Sequence, residues 1–331
     1  MKPSKMIEAL QILIEADQPT MMWSGPGVGK SSLVYQLGKK LNRKVIEIRA
    51  TLIDPIDLKW EMTVVSGKLV FRPPSFFPDE ENCILFIDEL PTALPLVQAA
   101  LYQLVLDRKL GGHELPKGTR IIAAGNRETD RAAVQRMPTP LANRFTHIDL
   151  EFDNKDWEVW AIDTDQPIEL VAWNRFKPGR INAFDPMGKE KAQPTPRSWE
   201  FVGKIINQTK DRFMLYELVK GTVGQADAIE FCSFVEDWKL LPDPRKVLAE
   251  PDSAEIPTKP SVLFSLGAAL AKMVEHKNSE NFFRYAERLK ESGLGDHAVA
   301  MIHDATTRES KLKECFGYTN WITKYGAMYA S

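Results

Sequence analysis

The 331-residue sequence has almost no net charge, few cysteines and no long hydrophobic run, and each absence excludes a class of protein. It carries 43 lysines and arginines against 45 aspartates and glutamates, a net charge of −2, so no overall charge attracts it to nucleic acid or to an anionic membrane. No apolar stretch approaches the roughly 20 residues of a transmembrane helix. We therefore expect no membrane partner, and a nucleic-acid partner only if a local basic patch exists.

The three cysteines and five histidines also lack the spacing of known site types. Cys83, Cys232 and Cys315 lie far apart and leave one unpaired, which predicts reduced thiols. The histidines form no zinc-binding pattern, and no G-x-S-x-G elbow is present. Near the start, residues 6–14 place apolar side chains at helical spacing, unlike the continuous run of a signal peptide, so we expect a cytoplasmic protein.

The patterns that are present divide the chain into an α/β part and a helical part. Residues 1–150 alternate apolar strands with helices, which predicts a parallel sheet flanked by helices. The expected strands are Thr20–Trp23, Lys44–Arg49, Cys83–Ile87, Arg120–Gly125 and Thr146–Leu150, with helices at Ser31–Leu41 and Pro95–Arg108. From residue 151 the strand patterns stop, and we expect helices at Ser198–Gln208, Tyr216–Trp238, Pro260–Glu275 and Asn278–Leu289, with a loop at Leu240–Thr258.

A glycine-rich segment, residues 24–31, stands between the first strand and the helix that follows it. Glycines in such a turn let backbone N–H groups point at a phosphate, and the helix N-terminus adds a positive dipole. We expect Lys30 to reach the β and γ phosphates of ATP, and Ser31 to place its hydroxyl on Mg²⁺. The expected nucleotide-binding residues are Gly25, Pro26, Gly27, Val28, Gly29, Lys30, Ser31 and Ser32. Ser24 stands where the usual motif begins with glycine, and we expect it to alter the entry of the loop without abolishing binding.

Two carboxylates follow the buried strand at residues 83–87. In an open α/β sheet, ligands bind at the carboxyl ends of the strands, where these side chains lie. Asp88 is expected to hold Mg²⁺ through water, and Glu89 to polarise the water that attacks the γ-phosphate. An acidic surface loop is the alternative, but pairing with the phosphate loop favours the catalytic interpretation.

The order of five motifs resembles the MoxR branch of the AAA+ ATPases, which includes the CbbQ-type Rubisco activases. The motifs are Gly25–Ser31, Ile87–Glu89, Ala123–Asn126, Leu141–Phe145 and Pro194–Trp199, within about the first 210 residues. The resemblance implies a P-loop AAA+ domain at 1–150, a helical lid region at 151–275 and a helical C-terminal extension at 276–331. It also implies hydrolysis of ATP with Mg²⁺ in a ring of identical subunits, expected to be a hexamer.

The resemblance assigns roles to three further residues. Asn126 matches the sensor-1 position, which orients the lytic water. Arg144 matches the arginine finger that a subunit donates to its neighbour's nucleotide, with Arg131 and Arg136 as rival candidates in the same loop. Arg197 matches sensor 2, acting on its own subunit or across an interface. Thr195 and Pro196 read as N-cap and first helical residue, which places the Arg197 cation against the helix dipole and favours an anionic partner.

The resemblance also implies that two hairpins, at residues 57–78 and 110–116, line a central pore. Ordinary surface hairpins are the alternative.

Three functional classes are compatible with these motifs. We favour a remodeller of a protein partner, by resemblance one that carries a von Willebrand factor A domain. A nucleic-acid motor or loader on the same core is the alternative, against which the near-neutral charge weighs. A nucleotide-gated scaffold is the third, against which Glu89 and Arg144 weigh.

Overall fold

The computed structural model describes residues 1–55, 61–65, 68–72, 74, 76–110, 113–130, 137–237 and 241–326. It divides into two compact units. The first consists of Met1–Asp153 with Asp185–Gly188, and the second of Asn154–Phe184 with Lys189–Ser331. None of the helices in the described ranges is long and apolar enough to cross a membrane.

The described residues of the first unit form nine strands and four helices. The strands are β1 (Thr20–Trp23), β2 (Val45–Arg49), β3 (Glu61–Val65), β4 (Lys68–Arg72), β5 (Ile84–Asp88), β6 (Lys109–Leu110), β7 (His113–Glu114), β8 (Arg120–Gly125) and β9 (Thr146–Asp149). The helices are α1 (Pro3–Glu15), α2 (Lys30–Leu41), α3 (Pro95–Asp107) and α4 (Thr139–Ala142), with 3₁₀ turns at Ala50–Leu52, Leu90–Thr92 and Glu128–Asp130. Five strands form a parallel sheet in the order β2-β5-β8-β1-β9.

Both faces of this sheet are buried, because successive side chains of each strand point to opposite sides. On one face, Met22, Phe86 and Ile122 pack in the same cluster as the apolar residues of α1 and α2. On the other, Ile87 and Ala123 pack with α3. Burial on two sides explains why these strands read as continuous apolar runs. The predicted parallel sheet flanked by helices is confirmed, with all five predicted strands present to within one residue at each end.

Two antiparallel hairpins project from this unit. β3 pairs with β4 in a register that sets Val65 opposite Lys68, and β6 pairs with β7 with Leu110 opposite His113. The predicted hairpins are confirmed, although their turn residues, 66–67 and 111–112, lie outside the described residues. The predicted pore-lining role is untested and stays a prediction.

The described part of the second unit is helical. Its helices are α5 (Asn154–Asp163), α6 (Ile168–Phe176), α7 (Pro196–Ile206), α8 (Arg212–Val223), α9 (Gln225–Asp237), α10 (Pro244–Ala249), α11 (Pro260–Met273), α12 (Ser279–Glu291), α13 (Gly295–Arg308) and α14 (Phe316–Tyr325). A single core cluster extends from Val247 to Trp321, so the division predicted between residues 275 and 276 falls inside it. Arg175 of α6 is buried and pairs with Glu158 of α5 and Asp304 of α13, which neutralises the buried charges.

Two predictions for this unit are wrong. The single helix predicted at Tyr216–Trp238 is two helices, because Gly224 has φ 94° and ψ 164° and ends α8; Trp238 lies outside the described residues. The loop predicted at Leu240–Thr258 contains α10. The N-cap of that helix is Asp243, whose side chain accepts a hydrogen bond from the Arg245 N–H.

Candidate active site

The phosphate loop connects β1 to the N-terminus of α2, as predicted. Gly27 and Gly29 have φ values of 73° and 100°, a conformation that a side chain at Cβ disfavours. Positive φ at two such glycines is typical of loops whose backbone N–H groups bind an anion, and the 12-residue α2 adds its dipole. The loop is therefore a candidate site for a phosphate.

Lys30, the first residue of α2, is directed at the loop and at the end of the neighbouring β8. Its Nζ donates to Asn126 Oδ1 at 2.7 Å and to Ser24 Oγ at 3.1 Å. The carbonyl oxygens of Gly25 and Ser24 lie at 3.4 and 3.5 Å. The structure thus brings together Lys30 and Asn126, which are 96 positions apart and were assigned to one site from sequence.

The metal-ligand candidates Ser31 and Asp88 also meet at this edge of the sheet. Ser31 Oγ donates to Asp88 Oδ2 at 3.3 Å, and Asp88 Oδ1 accepts from the Glu89 N–H at 2.9 Å. Burial raises the pKa of Asp88 above its usual value, while the Glu89 N–H and the Lys30 charge lower it and offset part of the effect. A hydroxyl and a half-buried carboxylate form an oxygen donor set of the kind that Mg²⁺ prefers.

Glu89, at the end of β5, is exposed and has φ 57°. Its Oε2 accepts a hydrogen bond of 2.6 Å from Thr51 Oγ1. Thr51 was missed by sequence reasoning, because the contact depends on the pairing of β2 with β5, in which Arg49 stands opposite Asp88. Thr51 is therefore a candidate for holding the catalytic carboxylate in one orientation.

Close packing of the backbone brings these strand ends together. A side chain at Gly125, the last residue of β8, would lie 2.5 Å from the ring of Pro91 and 2.9 Å from Met21. The absence of a side chain at Gly125 thus lets the segment after Glu89 lie directly beside the strand that carries Asn126. Ser32, predicted to bind nucleotide, is exposed and accepts a hydrogen bond from Gln36 within α2.

The arginine-finger candidate lies at the end of α4. His147 Nδ1 accepts from Trp23 Nε1 at 2.9 Å, which leaves Nε2 to donate to the Ala142 carbonyl at 2.9 Å. These bonds tie α4 to β1, the strand that leads into the phosphate loop. Arg144 follows two residues later and is exposed. Its rivals Arg131 and Arg136 lie outside the described residues.

Arg144 differs from the other arginines of this unit whose side chains are described. Those at positions 43, 49, 108, 120 and 127 donate to main-chain carbonyls or pair with carboxylates. Within the described ranges, Arg144 has no such partner. An exposed cation with no partner among the described residues is what an arginine directed at another subunit would require.

Arg197 lies in the second unit, in the first turn of α7. Thr195 is the N-cap: its Oγ1 accepts from the Ser198 N–H at 3.1 Å, and Ser198 Oγ accepts from the Thr195 N–H at 2.7 Å. The predicted helix start is confirmed, with Pro196 as the first helical residue and an exposed Arg197 as the second. Its role as sensor 2 stays a prediction.

Comparison with known proteins matches part of the first unit to a known family. Residues 21–145 match the family model described as AAA domain, dynein-related subfamily. The Thermotoga maritima RuvB Holliday junction branch migration motor is 17% identical, with 81% of this chain and 80% of that chain covered and a TM-score of 0.40. NtrX from Brucella abortus in complex with ADP is 12% identical, with 98% of this chain and 67% of that chain covered and a TM-score of 0.44. No curated protein matches the chain.

The two structural matches are too distant to bear on activity, so the conclusion depends on the family match and on the site. The matched segment contains the phosphate loop, Asp88, Glu89 and Asn126. It also contains Thr51 and ends one residue after Arg144, so among the candidate residues for hydrolysis Arg197 alone lies outside it. The match of residues 21–145 to the AAA domain model and the geometry of the site together indicate a nucleotide-binding ATPase with a P-loop fold.

Proposed function

We propose that this ATPase is a Mg²⁺-dependent AAA+ protein of MoxR type that works as a homo-oligomeric ring and remodels or activates a protein partner. The observation that carries the ring is Arg144, which follows α4, is exposed and has no partner among the described residues, whereas the other arginines of this unit with described side chains are engaged. An arginine that reaches the nucleotide of a neighbour requires a head-to-tail interface, and such interfaces close into rings when the rotation permits. A hexamer is the size that the resemblance favours.

The residues of one subunit divide the work of hydrolysis. Lys30 and the N–H groups of the loop bind the β and γ phosphates, and Ser31 and Asp88 would hold Mg²⁺. When bound, that ion supplies positive charge to the phosphates and to the leaving oxygen of ADP. Glu89, positioned by Thr51, orients the water whose oxygen forms the new bond to phosphorus.

The remaining contacts to the nucleotide would come from Asn126, Arg144 and Arg197. Asn126 lies 2.7 Å from Lys30 and would contact the same phosphate. Arg144 of a neighbouring subunit would neutralise the negative charge that develops as the bond to ADP breaks. Arg197 keeps its proposed sensor-2 role, the reading of bound nucleotide in its own subunit or in a neighbour.

The class of client follows from charge and from the resemblance. With a net charge of −2, the chain has no overall positive charge to attract a phosphate backbone, whereas nucleic-acid motors depend on such attraction. Members of the MoxR branch work with partners that carry a von Willebrand factor A domain, and we propose a partner of this class here. A nucleic-acid motor on the same AAA core is the second candidate.

The two classes are separated by what stimulates the ATPase. The Glu89→Gln variant, expected to bind ATP without hydrolysing it, serves as bait with ATP, and the Lys30→Ala variant, expected not to bind ATP, is its matched control. A protein that only the first variant retains should, once purified, raise the ATPase rate of the wild-type chain. DNA and RNA should leave that rate unchanged between about 50 and 200 mM salt. Stimulation by DNA or RNA that declines steeply with salt would instead identify a nucleic-acid motor.

A further inference from the structure

Ser24 occupies the position at which the phosphate-loop motif usually begins with glycine. It is completely buried, with 0% of its surface exposed. Its N–H donates to the carbonyl of Gly125 at 3.3 Å, next to Asn126, and its hydroxyl donates to the carbonyl of Gly25 at 2.9 Å. The serine is therefore part of a hydrogen-bonded connection between the phosphate loop and β8.

The hydroxyl of Ser24 also contacts the catalytic lysine. Its only proton is used by the Gly25 carbonyl, so toward Lys30 the oxygen acts as an acceptor, at 3.1 Å from Nζ. An ammonium group has three protons. The described oxygens near it include four within 3.5 Å: Asn126 Oδ1 at 2.7 Å and Ser24 Oγ at 3.1 Å make the shorter bonds, and the carbonyls of Gly25 and Ser24, at 3.4 and 3.5 Å, make only long, weak ones.

Among these four oxygens, only the serine hydroxyl would be missing if position 24 were glycine. When phosphate oxygens bind Lys30, they must replace some of these groups as acceptors of the hydrogen bonds that Nζ donates. Each acceptor from the protein that the lysine gives up reduces the net gain from binding phosphate. The extra acceptor thus bears on affinity for the nucleotide rather than on the bond-breaking step.

We infer that Ser24 is a positioning residue that holds Lys30 against Asn126 and weakens the binding of the β and γ phosphates. This inference depends on the proposed role of Lys30 as the phosphate ligand. By keeping ATP and ADP affinity moderate, the hydroxyl favours release of ADP after hydrolysis. The main-chain φ of Ser24 is not in the positive region, so other side chains can adopt its conformation.

Nucleotide titrations of three variants test the inference. Ser24→Ala and Ser24→Gly both remove the hydroxyl, but only the second also frees the backbone. Both should bind ADP about three- to tenfold more tightly than the wild type, the range of one net hydrogen bond. Ser24→Thr retains the hydroxyl and should restore wild-type affinity. AMP lacks the phosphates that Lys30 reaches, so its affinity should not change in any variant.

Steady-state kinetics provides the second measurement. The KM for ATP should fall in Ser24→Ala while kcat does not rise, whereas a general loss of structure would weaken ADP binding and lower the melting temperature. Unchanged or weaker ADP binding in Ser24→Ala, or tighter binding confined to Ser24→Gly, would overturn the role of the hydroxyl. If the wild-type chain binds neither ATP nor ADP, the proposed function itself fails, and that result is distinct from the others.

Discussion

At the scale of single residues, the site contains a carboxylate that is costly to the free protein. Asp88 is half-buried, and burial raises its pKa, which means that the fold favours the neutral form. A raised pKa in the folded state makes the ionised group destabilising at every pH above that value. The cation that Asp88 would hold explains why a carboxyl group, rather than an uncharged side chain, stands at this half-buried position.

The Asp88→Asn variant tests whether the Asp88 carboxylate lowers the stability of the free protein while it is needed for hydrolysis. Without nucleotide at pH 7 it should melt at a higher temperature than the wild type, and it should lose Mg²⁺-dependent ATP hydrolysis. The difference in melting temperature should shrink as the pH falls through the pKa of Asp88, because the wild-type carboxyl then becomes neutral as well. The exposed neighbour provides the control, since Glu89→Gln should abolish hydrolysis with little change in melting temperature. A lower melting temperature for Asp88→Asn at pH 7 would contradict this account.

How far sequence alone predicts the site differs from residue to residue. Lys30, Ser31 and Asp88 could be assigned because each is part of a local motif at the carboxyl end of a predicted strand. Thr51 could not, since its contact with Glu89 arises from the register between two strands that are separated by a hairpin of β3 and β4. The departure at Ser24 was visible in the sequence, but its bond to Lys30 depends on how the loop folds.

At the scale of secondary-structure elements, two glycines near the end of α8 have different roles. One weakens the helix from inside, and the other ends it. Gly221 lies inside α8, is exposed, and has open space where a Cβ would point. Gly224 has φ 94° and ψ 164°, a conformation available essentially only to glycine. A Cβ there would also lie 2.6 Å from Glu190 Oε2 and 3.0 Å from the Ala192 carbonyl.

Alanine at the two positions should therefore have opposite effects on stability. Gly221→Ala should stabilise the protein by about 0.5–1 kcal/mol, because alanine loses less backbone entropy in a helix. Gly224→Ala should destabilise it by about 1–3 kcal/mol through backbone strain. Chemical denaturation of both variants beside the wild type measures the two values. Equal effects at the two positions would mean that α8 and α9 are not separated in the way described here.

The same region shows where periodicity fails as a predictor of elements. The apolar spacing continues through residues 216–238, so it predicts one helix, and only the φ of Gly224 reveals the break. The helix α10 was missed for a different reason, because six residues are too few to show a period. A local signal for it was present, since Asp243 followed by Pro244 is a typical helix start.

At the scale of the whole molecule, the proposed active site is shared by two subunits. Lys30, Ser31, Asp88, Glu89 and Asn126 lie together in the first unit. Arg144 lies in the same unit but is exposed and has no partner among the described residues. Loss of an arginine finger typically costs on the order of 10³ to 10⁵ in rate. Arg144→Ala and Glu89→Gln should therefore each be nearly inactive while retaining ATP binding and the ability to assemble.

Mixing these two inactive variants tests whether Arg144 acts on the nucleotide of a neighbouring subunit. If Arg144 acts on the neighbouring nucleotide, an interface that joins a wild-type Glu89 to a wild-type Arg144 is complete. Random assembly of equal amounts should make about one quarter of the interfaces complete and restore a corresponding share of ATPase activity. Arg144→Ala mixed with the double variant Arg144→Ala/Glu89→Gln has no complete interface and should stay inactive. No recovery in the first mixture, under conditions in which labelled subunits exchange, would contradict an active site completed by a second copy of the chain.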